Sequence, residues 1–335
     1  MAAQIYLNVG MHKTGSTYIQ SKVFPTISAV RYLGPGRVED AEAFSVVEDL
    51  AYANPAFFDP ERERDRFQAA LGEETDRPVL VSSEELFGEV TSNFHNNPFI
   101  ARNLKNMFPD ARVIVVVRRQ NDWIESNYKQ VIKGGFTLCF EPFVGWNGSA
   151  FESGRHLPGS RLRINVKELD WLRYVRNYAE LFGKQNLLVL PFEQLMENPD
   201  AFVAAITDFM GVERIRIDAR ARVNRGYSGL GLAVARVLNR IFDDQYHEPK
   251  LLKQTPFHRY FMERREASPF FGFMTRVTGM LTVARFVQHI VDPLSPGPAR
   301  LLDERMTAAL MEMHADHNRM LAEEFCPDLS RFGYF

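Results

Sequence analysis

Short apolar runs separated by polar, periodic stretches set the pattern of this chain. Ile5 to Val9 is five residues closed by Gly10, Val30 to Leu33 is closed by Gly34-Pro35-Gly36, and Val79 to Ser83 follows Pro78. Val113 to Val117 holds four valines and one isoleucine, read off as V113-I114-V115-V116-V117 and β-branched throughout, and Leu187 to Leu190 is the last such run. Uninterrupted runs of this length predict parallel strands covered on both faces rather than half-exposed antiparallel ones. Helical patterns fall between them, over 17–24, 41–53, 61–74, 121–132 and 199–210, with Gly134-Gly135 and Gly211 as stops. Alternation of this kind predicts an α/β fold: a doubly wound parallel sheet flanked by helices, with a mainly helical C-terminal extension. The expected organisation is a core over 1–230, with 135–165 as a lid or insertion, and a helical region over 231–335 packed on that core.

Composition narrows the function classes. The 335 residues carry 40 Lys plus Arg against 42 Asp plus Glu, so 40 − 42 gives a net charge of −2 and no general case for nucleic-acid binding. Two cysteines, Cys139 and Cys326, make neither a disulfide framework nor a zinc site. The start lacks a basic stretch followed by a long apolar run, and no window approaches about 18 uninterrupted apolar residues, so a cytoplasmic chain is expected. Many of the 27 Phe residues lie in 135–165 and in the last hundred residues.

The chemistry concentrates at strand ends. Gly10-Met11-His12-Lys13-Thr14-Gly15-Ser16-Thr17 joins the first strand to the first helix, where glycines let backbone N–H groups face an anion and Lys13 adds a full charge. In a nucleoside-triphosphate loop the Lys follows the second Gly. Here Lys13 precedes Gly15, and the strand Val113–Val117 ends in Arg118-Arg119 rather than in a magnesium-holding acid. Phosphate binding without a metal is the reading these residues support, with no metal ligand among them.

Lys13-Thr14-Gly15-Ser16-Thr17 resembles the 5′-phosphosulfate loop of the sulfotransferases that use 3′-phosphoadenosine-5′-phosphosulfate (PAPS). Arg118, with Ser126 eight residues on in the next helix, is similar to the family's 3′-phosphate site. Leu187 to Leu195 resembles the family's strand and "YEDL"-like turn, with Phe192 where a tyrosine is usual, and Arg225 in Arg222-Val223-Asn224-Arg225-Gly226 fits its late basic loop. Over residues 4–230 the resemblance implies a P-loop-like core and transfer of a sulfuryl group from PAPS to a hydroxyl. The acceptor would be a carbohydrate, glycolipid or small metabolite, the product adenosine 3′,5′-bisphosphate, and no metal would be required. Lys13 would serve the leaving phosphate, while Thr14, Gly15, Ser16, Thr17, Arg118, Ser126 and Arg225 hold the donor. Glu84, at the end of the third strand, is the first candidate for the base; Glu39 and His12 are rivals, and Glu85 reads rather as a helix cap.

A small-molecule P-loop kinase and a non-catalytic nucleotide-binding scaffold are the competing readings. His314 and His317, one turn apart, read as a solvated helix face. The apolar stretch 270–291 reads as core or a subunit interface in a homo-oligomer, or as a peripheral membrane contact.

Overall fold

A computed structural model describes residues 3–72, 77–152, 163–217, 226–242, 264, 268, 270, 282–295 and 297–335. Arg225 and 271–281 of the apolar stretch lie outside these residues, and 153–162 of the expected lid do as well.

Five strands form one parallel sheet: β1 (Ile5–Asn8), β2 (Arg31–Leu33), β3 (Val79–Ser82), β4 (Arg112–Val117) and β5 (Leu187–Pro191), in the order β2-β3-β1-β4-β5. Tyr6 lies beside Leu80 of β3, Leu7 beside Val113 of β4, and Val113 beside Leu187 of β5. Val113 to Val117 are all buried, as an apolar run covered on both faces requires. The chain moves from β1 toward β2 and then returns to the other side of β1 for β4. That reversal is where open α/β sheets gather ligand groups, beyond the carboxyl ends of the strands. The loops after β1, β3 and β4 all emerge there.

The helix Pro199–Met210 shows why local signals hold: Asn198 accepts from Ala201 N at 3.0 Å, proline occupies the first turn, and Gly211 leaves at φ +69°. The helix after β1 departs from the simple expectation. Ser16–Tyr18 is one α turn, Ile19–Val23 widens to a π-helix, and Phe24–Thr26 tightens to 3₁₀. Asn97–Met107 and Trp171–Phe182 are helices beyond those expected; the second buries Trp171, Leu172, Val175, Tyr178 and Phe182 on one face.

Two compact units are present. One comprises 1–123, 164–223 and 308–335, and contains the sheet; the other comprises 124–163 and 224–307. In the sheet-bearing unit the rings of Phe87, Phe94, Trp123 and Trp171 pack in series, with centroids 5.0 to 5.7 Å apart. In the other unit, buried Glu125 accepts from the amides of Leu301 and Leu302 at 2.7 and 3.1 Å, and Asp292 accepts from Ser228. There Phe286 and Ile290 are exposed.

The helix Glu304–Glu324 corrects one expectation. His314 is buried, its Nε2 lies 3.0 Å from the Val166 carbonyl, and burial pushes its pKa below the usual histidine value. His317 is half exposed and reaches Asp170 Oδ2 at 2.7 Å. The tertiary partners of the pair, the Val166 carbonyl and Asp170, leave no trace in the spacing of the two histidines. No helix among the described residues is long and apolar enough to cross a membrane.

Candidate active site

The loop between β1 and Ser16 is built from the inside. Three consecutive carbonyls are taken up by side-chain donors: Thr14 Oγ1 donates to Met11 O, Trp123 Nε1 to His12 O at 2.7 Å, and Arg118 Nη1 to Lys13 O at 2.7 Å. With these acceptors engaged by protein, the negative ends of the loop peptides are directed away from any bound anion. Thr14 is buried and its hydroxyl is spent on the loop itself, so its amide is the group left to contribute to a phosphate. Thr17 is exposed, and its carbonyl accepts from Ser21.

Two loop residues have left-handed backbones, Lys13 at φ +67° and Gly15 at φ +80°. At Gly15 a Cβ atom would also lie 3.0 Å from the Phe192 ring and 3.1 Å from Leu195. Glycine is therefore required twice, by conformation and by the close approach of the turn after β5. Gly15→Ala should cost stability by about 1–2 kcal/mol from the backbone alone. A lowered midpoint in denaturant unfolding checks it; an unchanged midpoint would remove this account of the loop.

The carboxyl end of β3 meets the same loop. Ser16 Oγ donates to Glu84 Oε2, and His12 Nε2 lies 3.4 Å from Glu85 Oε1. Ser83 accepts from Glu85 N at 3.3 Å as the cap of the turn Glu84–Phe87, and its hydroxyl donates to Glu48 at 3.2 Å. Glu85 is held below the usual carboxylate range, first by its hydrogen bond with His12, whereas burial raises Glu48. One ligand-type atom each from His12, Glu84 and Glu85 lies within 4.8 Å of the others. His12 Nδ1 is buried without a hydrogen-bond partner. Glu39 is exposed and pairs with Arg37 at 3.7 Å. Of the three candidate bases, Glu84 meets the loop through Ser16 and His12 belongs to it, whereas among the described residues no contact joins Glu39 to it.

At the end of β4 the two arginines do different things. Arg118 lies with its guanidinium 4.7 Å above the Phe192 ring and its carbonyl accepting from Trp171 Nε1 at 2.8 Å. Its Nε is buried with no partner, and burial draws its pKa down. A buried donor left unmet costs free energy that a bound phosphate would offset, so the residues fit an anionic donor. Arg119 is taken by protein instead: its backbone N donates to Glu193 Oε1 at 3.1 Å and its Nε to Asp122 Oδ2 at 2.7 Å. Ser126 stands half-buried in the helix Gln120–Lys133, on the part belonging to the second unit.

The two indoles, which hold the loop and strand end, and the Ser16–Glu84 contact leave no mark in the sequence. Tryptophan in buried helices gives no sign of where its one N–H points. The loop 10–17 and Arg118 stand out in the sequence because each follows directly on an apolar strand.

Comparison with known proteins adds an independent line. A family model described as "Sulfotransferase family" matches residues 37–216, a span that includes Glu84, Arg118 and Phe192 and begins after the Lys13 loop. Among solved structures, the chain is similar to a sulfotransferase from Alicyclobacillus acidocaldarius at 18% identity and a TM-score of 0.45, covering 67% of this chain and 87% of that one. No curated protein sequence matches.

Proposed function

Because the chain belongs to the sulfotransferase family, we propose that it transfers a sulfuryl group from PAPS to an acceptor hydroxyl with Glu84 as general base. One observation carries this reading: Ser16 of the phosphate loop is hydrogen-bonded to Glu84 of the β3 end, so a carboxylate stands at the loop that would hold the donor.

The donor supplies the sulfuryl group and a good leaving group, adenosine 3′,5′-bisphosphate. The amides of Thr14, Gly15, Ser16 and Thr17 hold the 5′-phosphate, and the Lys13 ammonium faces the bridging oxygen, where negative charge grows as the sulfur–oxygen bond breaks. Glu84 takes the acceptor's proton as the new oxygen–sulfur bond forms. Arg118 offers its unmatched Nε to the 3′-phosphate, and Ser126 and Arg225 are assigned to the same group by the resemblance. His12, paired to Glu85, orients the loop flank. The acceptor is a hydroxyl of a carbohydrate, glycolipid or small metabolite, and no metal takes part.

Calorimetry separates this from a kinase. Adenosine 3′,5′-bisphosphate should bind in the presence of EDTA at least about tenfold more tightly than magnesium-ATP, a difference of about 1.4 kcal/mol. A preference for magnesium-ATP would sink the proposal. Release of labelled sulfate from PAPS to a panel of hydroxyl acceptors then identifies the second substrate and distinguishes an enzyme from a scaffold.

A further inference from the structure

The segment 327–335 reaches the strand end where Arg118 stands. Its turn Pro327–Phe332 buries Leu329, and Tyr334 behind it is buried too. Hydrogen bonds fasten it: Asn318 Nδ2 donates to Tyr334 O at 2.8 Å, Tyr334 Oη to Glu193 Oε2 at 2.8 Å, and Arg119 Nη1 to Phe332 O at 3.3 Å. A cleft of about 890 Å³ opens between this segment, the turn after β4 and the helix Phe192–Glu197. Arg118 and Phe192 line one part of it beside the carboxylates Asp122 and Glu193, Glu197 lines another, and Arg331 and Phe332 close it from the fastened segment.

Arg119 is already paired with Asp122, which leaves Arg118, and Arg331 once its pair with Glu197 opens, as the wall cations that can meet an anion. Cationic guanidinium groups bind phosphate oxygens in a fork, and flat rings beside them suit a purine. Arg331 is half exposed, stands 4.6 Å from the Phe332 ring and is paired with Glu197 at 2.6 Å, so its charge is at hand but partly neutralised. A surface pair of that kind is worth little and exchanges readily for a doubly charged phosphate.

We propose that the cleft receives the ribose 3′-phosphate side of the donor nucleotide, with Arg331 as a second guanidinium opposite Arg118. The assignment rests on the PAPS reading above, which places the 3′-phosphate at Arg118. It makes Arg331 a residue that tells a 3′-phosphorylated nucleotide from one without that group, and Glu197 a competitor for the same cation.

Binding of adenosine 3′,5′-bisphosphate and of adenosine 5′-monophosphate to the parent, Arg331→Ala and Glu197→Gln tests this by calorimetry. Arg331→Ala should weaken the bisphosphate about tenfold and leave the monophosphate unchanged, as loss of one charge-assisted contact predicts. Glu197→Gln should tighten the bisphosphate alone. A parent that binds no bisphosphate would defeat the donor reading itself. A parent that binds it while Arg331→Ala keeps the same ratio of the two affinities would overturn only the role of Arg331. Equal weakening of both nucleotides would also overturn it, since the residue would then shape the cleft without reading the phosphate. Arg331→Lys, expected to fall between parent and alanine, guards against a folding defect, and each variant's melting midpoint is measured alongside.

Discussion

Glu84→Gln is expected to lower sulfuryl transfer by about 10²–10⁴, the usual contribution of a positioned base, with bisphosphate affinity held within about twofold. The substitution is chosen for what it preserves. Ser16 donates its hydroxyl to Glu84 Oε2, and a glutamine carbonyl accepts the same bond, so the loop keeps its support. What disappears is the capacity to take a proton from the acceptor. Single-turnover transfer and calorimetry on the same preparation separate the two. Normal turnover would move the base elsewhere, and His12, 3.4 Å from Glu85 at the same loop, would be the next to replace. Loss of turnover together with loss of bisphosphate binding would instead show that Glu84 supports the loop.

Lys13→Ala should lower turnover by about 10²–10³, comparable to removing one donor from an oxyanion hole. Bisphosphate affinity should fall less, by about tenfold, because only part of the ammonium's attraction exists before the bridging bond breaks. Alanine retains a Cβ, so the left-handed backbone at φ +67° is equally strained in both proteins and stability is unchanged from that source. The comparison therefore isolates the charge. Equal losses in binding and turnover would mean that Lys13 only anchors the donor. No loss in either would remove it from the site.

How much could be read from the chain alone follows from the range of the forces involved. All five strands were legible, with ends within a residue or so, because a parallel strand announces itself by local apolar content. The conformation of the loop 10–17 is legible because it needs Gly15 and carries the charge of Lys13 within one short span. The His314 environment was not, since it depends on a carbonyl 148 residues away. The Arg331 wall was hidden for the same reason: its nearest acid, Glu197, is separated by 134 residues. Spacing predicts neighbours along an element, whereas the tertiary partner of a single polar side chain leaves no periodic trace.

The two indole hydrogen bonds carry a different lesson. Trp123 holds His12 O and Trp171 holds Arg118 O, each by one N–H, and their rings sit within the aromatic stack of the core. Neither is a candidate to touch the donor, yet each fixes a group that is. In a survey of substitutions scored only by activity, both positions would rank beside Lys13 and Arg118. Scored by foldedness, they would rank beside Phe94. The aromatic interior and the two strand-end loops are thus joined through single N–H groups, so a change that shifts one ring also shifts a backbone carbonyl of the loops.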